Sequence, residues 1–283
     1  MDTLVSAEWL KKHINEPDLV VLDCTVVTMP DEDDPRGLTN VSGRPDYELG
    51  HIPNAGFADL KTSLCKKNDP IEFDLLSPEQ FCTEMGKLGV GDDSRVVLYD
   101  ANYTGWAARV WWMLRWVGFD NVAILDGGLS AWTSTGNELS LEPVNRTANF
   151  LTCKPRAALI ADHDEVLASI NNKSVVVIDT LPEPFYRGEM SIYPRAGHIT
   201  GAVNIDSLSL LDNKGYFHSQ NTLAAMHEFD HNARIITYCG GGIIASTEAF
   251  VLTRLGFNNV AVYMASLEEW TADTSNPMEI SYS

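Results

Sequence analysis

Basic runs are missing from these 283 residues. Twenty Lys and Arg stand against 39 Asp and Glu, a formal net charge of −19, and the basic stretches are no longer than the pairs Lys11-Lys12 and Lys66-Lys67. A field of that sign repels nucleic acid and anionic lipid, so neither is expected as a partner. Cysteine is also sparse. Cys24, Cys65, Cys82, Cys153 and Cys239 are an odd number, with no Cys-x-x-Cys and no Cys/His spacing of the zinc kind. No metal and no cofactor is therefore expected, and a reduced, cytoplasmic compartment fits best. No apolar run is long enough to span a bilayer, and the start Met1-Asp2-Thr3-Leu4-Val5-Ser6 lacks the positive charge and apolar stretch of an export signal.

What is present is enough apolar material for two cores. Hydrophobic residues make up 45% of the chain and charged ones 21%, with seven Trp and ten Phe, in a length that exceeds one ordinary core. The order of signals in the first half recurs in the second. Val20-Val21-Leu22-Asp23 is matched by Val176-Val177-Ile178-Asp179, and Gly50-His51-Ile52-Pro53-Asn54-Ala55 by Gly197-His198-Ile199-Thr200-Gly201-Ala202. Val96-Val97-Leu98-Tyr99 leads into Asp100 as Ile235-Ile236-Thr237-Tyr238 leads into Cys239. Gly118 and Trp132 stand 138 positions before Gly256 and Trp270, while Asp100 stands 139 before Cys239.

Each half alternates β-branched runs with amphipathic stretches. Ser6 and Ser77 are predicted helix caps, the latter followed by Pro78 at the first helical position. Uninterrupted runs such as Val175-Val176-Val177-Ile178 suit central parallel strands covered on both faces. The pattern predicts an α/β fold of two tandem domains, each a mainly parallel sheet flanked by helices. The divisions expected are 1–136, a linker over 137–156 that contains Pro143 and Pro155, and 157–283.

Ligands of open α/β sheets bind beyond the carboxyl ends of the strands. Cys239 holds that place. It follows a strand directly and precedes a helix predicted from about Ser246 to Leu255, with Gly240-Gly241-Gly242-Ile243-Ile244 between. Consecutive glycines let several N–H groups converge on one point, and the helix start adds partial positive charge. Such a cradle suits a thiolate or a persulfide. Gly241 is expected to tolerate no side chain. The other four cysteines read as buried packing residues. A Cys-x5-Arg phosphatase loop is excluded, because Ala245 holds the sixth position and the next arginine is Arg254, deep in the helix.

The chain resembles the tandem-domain rhodanese family of thiosulfate and 3-mercaptopyruvate sulfurtransferases over nearly its whole length. The resembling segments are Gly50-His51-Ile52-Pro53, Arg109-Val110-Trp111-Trp112-Met113-Leu114, Leu125-Asp126-Gly127-Gly128, Gly197 to Ala202 and Tyr238-Cys239-Gly240-Gly241-Gly242. The resemblance implies two rhodanese-like domains, an inactive first one and a catalytic second one. Sulfane sulfur would pass from a small-molecule donor through a Cys239 persulfide to a thiol or cyanide. Asp100 agrees with the inactive first domain, since a carboxylate cannot carry a persulfide.

Relative to the family pattern, Gly240 and Gly241 stand where thiosulfate-using members carry cations. Gly241 and Ile244 stand where mercaptopyruvate-using members carry Ser and Thr, and Phe185 replaces an arginine. Arg187 and Arg195 remain as candidates for a donor's carboxylate, and 3-mercaptopyruvate is favoured over thiosulfate. His51 and His198, present in both repeats, read as structural, while Trp106 or Trp111 is a candidate wall of the cleft. The competing reading is a non-catalytic binding or regulatory protein on the same fold.

Overall fold

The Val, Ile and Leu runs become the strands of two parallel sheets. The computed structural model describes residues 1–67 and 69–281. The first half contains β1 (Leu4–Val5), β2 (Leu19–Asp23), a hairpin of β3 (Val26–Pro30) and β4 (Leu38–Ser42), β5 (Ala55–Phe57), β6 (Arg95–Tyr99) and β7 (Val122–Leu125). Its main sheet runs β1-β7-β6-β2-β5, parallel throughout. The second half contains β8 (Ile160–Ala161), β9 (Val175–Asp179), β10 (His198–Ile199), β11 (Val203–Asn204), β12 (Arg234–Tyr238), β13 (Val260–Tyr263) and β14 (Met278–Glu279). Its sheet, β11-β9-β12-β13-β8, repeats the order of the first strand for strand. Every residue of β2 is buried, as a strand covered on both faces requires.

The predicted caps hold. Ser6 Oγ accepts from the Trp9 amide at the start of Ala7–His13. Ser77 and Gln80 form a reciprocal capping box at Pro78–Lys87. The repeated Gly-His-Ile turn also acquires a reason. In each half the turn's Ile amide donates to the tyrosine hydroxyl that ends the central strand, Ile52 to Tyr99 (3.2 Å) and Ile199 to Tyr238 (3.0 Å). The histidines bond backward and stack: His51 Nδ1 on the Tyr47 carbonyl and ring, His198 Nδ1 on the Tyr186 carbonyl and ring. Both are buried structural groups.

The two halves meet helix to helix. In Gly105–Trp116 every residue except Arg115 is buried, which is the pattern of a helix with protein on all sides. It lies between its own sheet and helix Ile244–Arg254 of the second half. The ring of Trp111 meets Phe250 edge-on at 4.8 Å, and Arg115 donates to Thr253 Oγ1. One apolar cluster runs through the contact without a break. Residues 141–156 carry neither helix nor strand and lie along the first half, with the Asn149 amide on the Gly86 carbonyl and the Lys154 amide on the Val117 carbonyl. Among the described residues no helix is long and apolar enough to cross a membrane.

Candidate active site

Cys239 sits at the carboxyl end of β12, and the following helix begins at Ile244, two residues earlier than the sequence indicated. The thiol is 2% exposed and lies on the wall of a cavity of about 190 Å³ at the junction of the halves.

The loop between Cys239 and the helix is held by its carbonyls. The Cys239 carbonyl accepts from Leu267 N (3.1 Å) and the Gly240 carbonyl from Glu268 N (3.0 Å). The Gly241 and Gly242 carbonyls face Arg109 Nη1 at 3.5 and 3.2 Å, and Gly242 also receives Ser246 Oγ at 2.7 Å. The Ile243 carbonyl receives the Ser246 amide. In a planar trans peptide the C=O and the next N–H point in opposite directions. Pinning five successive carbonyls outward therefore turns the amides of Gly240 through Ile244 to the other side. None of these five amides finds an acceptor among the described residues.

The first half supplies a control. Its equivalent loop, Ala101-Asn102-Tyr103-Thr104-Gly105-Trp106, lacks the three consecutive glycines, yet it also converges its amides. The Asp100 carboxylate, buried, accepts from the amides of Asn102 (2.9 Å), Thr104 (3.0 Å) and Ala107 (3.0 Å). Burial pushes its pKa up and these amides oppose the rise. A loop of this kind thus occurs twice, its amides satisfied by the chain's own carboxylate in one copy and left without an acceptor among the described residues after Cys239 in the other.

Arg109 is the residue that links them. It stands on the buried helix of the first half, 1% exposed, with Nη2 on the Phe73 carbonyl (2.8 Å) and Nη1 also against Met264 Sδ. Burial lowers its pKa to about 10. Its signal in the sequence was a lone arginine inside Ala107-Ala108 and Val110-Trp111-Trp112. Gly242 needs its glycine twice over: its φ is +74°, and a Cβ would lie 2.5 Å from both Arg109 Nη1 and the Met264 carbonyl oxygen. Gly241 does not. A Cβ there meets Glu268 Oε2 only at 3.5 Å, and its φ is not positive. The expected intolerance thus moves by one residue.

Of the other expected site residues, Gly240, Gly241, Ile243 and Ile244 line the cavity with Cys239, while Gly242 lies behind it. Trp106 lines it too, whereas Trp111 is core. Arg187 and Arg195 are not brought to the thiol. Arg187 sits at the end of helix Glu183–Tyr186 and pairs with Glu183, one turn back. Arg195 is spent on the carbonyls of Asp273 (3.0 Å) and Asn276 (2.8 Å). The cavity's own guanidinium is Arg36, from the loop joining β3 to β4.

Sequence reasoning missed that hairpin, which caps the cavity with Thr28, Leu38 and Asn40. Arg36 bonds Asp34 and reaches Glu72 at 2.8 Å and Glu268 at 3.5 Å. Burial would raise the Glu72 pKa, but Lys61, Arg36 and Asn40 together hold it low. Glu268 is held less firmly: Arg36, Lys61 and the Glu72 amide also favour its charged form, but they do not offset its burial. Burial first, and the charge of Glu72 second, raise its pKa to about 7. Tyr103 and Tyr193 also line the cavity, both kept protonated by burial, and the Tyr193 hydroxyl lies against Gly240.

Comparison with known proteins agrees with this geometry. The family model described as Rhodanese-like domain matches twice, over residues 6–135 and 162–273. A probable 3-mercaptopyruvate sulfurtransferase of Pseudomonas aeruginosa is 32% identical, with 97% of each chain covered. A thiosulfate sulfurtransferase of Gallus gallus is 30% identical over 94% of this chain and 92% of its own. The crystal structure of a 3-mercaptopyruvate sulfotransferase from Escherichia coli superposes with a TM-score of 0.82 at 28% identity, covering 94% of this chain and 99% of that one. Two matching domains, near-complete coverage and a strand-end thiol on the cavity wall lead to one conclusion: the chain belongs to the rhodanese family and is a sulfurtransferase.

Proposed function

We propose that Cys239 carries the transferred sulfur as a persulfide and that the donor is 3-mercaptopyruvate, with a thiol or cyanide as acceptor. The observation that carries this reading is the contrast between the loops: the amides that hold Asp100 in one half have no acceptor beside Cys239 in the other. In the first step the Cys239 thiolate attacks the donor sulfur. An S–S bond forms, the donor's C–S bond breaks, and its electron pair leaves as the enolate of pyruvate, which takes up the proton lost from the donor's thiol. The outer sulfur, now anionic, rests among the amides of Gly240 to Ile244. An acceptor thiolate or cyanide then attacks that sulfur and releases the Cys239 thiolate.

In this reading residues 157–283 form the catalytic domain and 1–136 the inactive one, joined by 137–156. The first domain still contributes a wall of the site. Arg36 takes the place foreseen for Arg187 and Arg195 as partner of the donor's carboxylate, with Glu72 or Glu268 giving way. Thiosulfate, a dianion, would meet the same two carboxylates with more charge, which favours the monoanionic donor. A cytoplasmic setting suits the free thiols.

The test combines mass and kinetics. Incubation with donor should add one sulfur to the peptide containing Cys239, removable by cyanide. A hydrogen bond to a charged group contributes about 1.5–3 kcal/mol, roughly one to two decades. Because a carboxylate must first be displaced, Arg36→Ala is expected at the lower end, about tenfold in kcat/KM with 3-mercaptopyruvate, while Arg187→Ala and Arg195→Ala stay within a factor of about two. Sulfur on another cysteine, or a larger loss in Arg187→Ala than in Arg36→Ala, would overturn the assignment.

A further inference from the structure

Cys82 and Cys153 do not behave as separate packing residues. Cys82 lies on helix Pro78–Lys87, 4% exposed, and Cys153 lies on the irregular segment that crosses it, partly open to solvent. The two cysteines line one surface groove with Gly86, Asn149, Phe150 and Leu151, and burial first and the neighbouring Cys153 thiol second push the Cys82 thiol up to about 12. The thiols of Cys24 and Cys65 have carbonyl partners instead, those of Leu22 and Lys61.

The backbone on both sides of the pair is fixed. One turn beyond Cys82, the Gly86 carbonyl receives the Asn149 amide at 2.9 Å, and the chains approach so closely that a Cβ on Gly86 would sit 2.5 Å from the Asn149 carbonyl oxygen. Immediately before Cys153, Thr152 donates its amide (2.7 Å) and its hydroxyl (2.5 Å) to Asp92. Immediately after it, Lys154 N donates to the Val117 carbonyl at 2.9 Å. Two neighbouring thiols are thus held side by side by bonds that do not involve them. A disulfide requires that juxtaposition, since its sulfurs must come within bonding distance without the backbone shifting far.

We propose that Cys82 and Cys153 form a redox-modified pair, closing under a hydroperoxide to an intramolecular disulfide that tethers the interdomain segment to the first domain. The more accessible Cys153 meets the oxidant first. Its thiolate takes oxygen from the peroxide to give a sulfenic acid and hydroxide. Cys82 then attacks that sulfur: the S–S bond forms, the S–O bond breaks, and hydroxide leaves with the proton of Cys82 as water. Two thiols together give two electrons, and the peroxide is reduced to water and hydroxide. The closed form spans a long loop and so restricts the unfolded chain strongly.

The experiment uses the full chain carrying Cys239→Ser, so that oxidation of the sulfur-carrying thiol does not intrude, with and without Cys153→Ser. After a few equivalents of hydrogen peroxide, the expected result is a mass lower by two hydrogens and a Cys82–Cys153 linked peptide in a non-reducing digest. The thermal transition should rise by about 5 °C or more and return with dithiothreitol. None of these changes should occur with Cys153→Ser. Sulfinic acid accumulating on Cys153 while Cys82 remains a free thiol, or cross-links only between chains, would overturn the proposal.

Discussion

Glu268 places a titrating carboxyl at the mouth of a site that must admit an anion. Its pKa lies at about 7, raised first by burial and then by Glu72. Below that pH the group is neutral. Above it, a second negative charge joins Glu72 a few ångströms from the loop, since a Cβ on Gly241 would already lie 3.5 Å from Glu268 Oε2. With an effective dielectric of about 20 and a separation of roughly 6 Å, the repulsion on a monoanion is about 3 kcal/mol, or two decades. The neutral form therefore does nearly all the binding. Its share falls from about nine-tenths at pH 6 to about one-tenth at pH 8, so kcat/KM should lose nearly tenfold from this cause across that interval.

Glu268→Gln removes the titration and keeps an oxygen for the Glu72 amide, which Glu268 accepts at 3.0 Å. Ionisation of thiols elsewhere along the reaction is common to both proteins and cancels in their ratio. The measurement is kcat/KM with 3-mercaptopyruvate from pH 5.5 to 8.5 for wild type and variant. The ratio of variant to wild type should be near one at pH 6 and rise to about ten at pH 8, as Glu268 titrates near 7. A ratio that stays flat across the range refutes the reasoning, and so does one that falls toward alkaline pH.

Two further outcomes follow from the loops. Gly242→Ala forces a side chain into a left-handed backbone and onto Arg109 and Met264, so it should lower the melting temperature by several degrees and kcat by tenfold or more, while Gly241→Ala stays within about threefold in kcat; thermal melts and steady-state kinetics on both variants check this. Asp100→Cys, made in the Cys239→Ser background, should gain no sulfur from the donor, although amides surround that position, because residue 100 is not among those lining the cavity that opens to Cys239; intact-protein mass after donor treatment decides it.

The two sheets, the strand-end thiol and the repeat were legible because each rests on local pattern. Val175–Asp179 is a strand by its own composition, and Gly240 to Gly242 carry their conformational freedom wherever they stand. The arginines were not legible. Arg187 and Arg195 stand close in sequence to the Gly197-His198-Ile199 turn, but Glu183, one helical turn back, and the Asp273 and Asn276 carbonyls, which only the folded chain supplies, hold them aside. Arg36 reaches the thiol's cavity from a hairpin roughly two hundred residues away, and nothing local in Asp34-Pro35-Arg36-Gly37 says so. The amide cradle around Asp100 escaped notice for a related reason: its loop lacks consecutive glycines, and convergence is achieved there with Thr104 at φ +68°.

The near-identity of the two frames bears on the proposal that only the second does chemistry. Both halves end a central strand in a tyrosine tied to the Gly-His-Ile turn, and both follow it with a loop of inward amides and a buried helix. Where the anion is part of the chain, as at Asp100, the cradle is satisfied, the loop is closed and the helix behind it is free to become a wall. Gly105–Trp116 then presents Trp106 to the cavity and Arg109 to the carbonyls of the other loop. Where the anion is absent from the chain, the amides need a partner, and the carbonyls that would otherwise collapse on them are held off by that same arginine. The first half thus helps to shape the second: Arg109 from the first helix anchors the Gly241 carbonyl and shares the Gly242 carbonyl with Ser246, and so supports the orientation that turns the loop's amides away from their carbonyls.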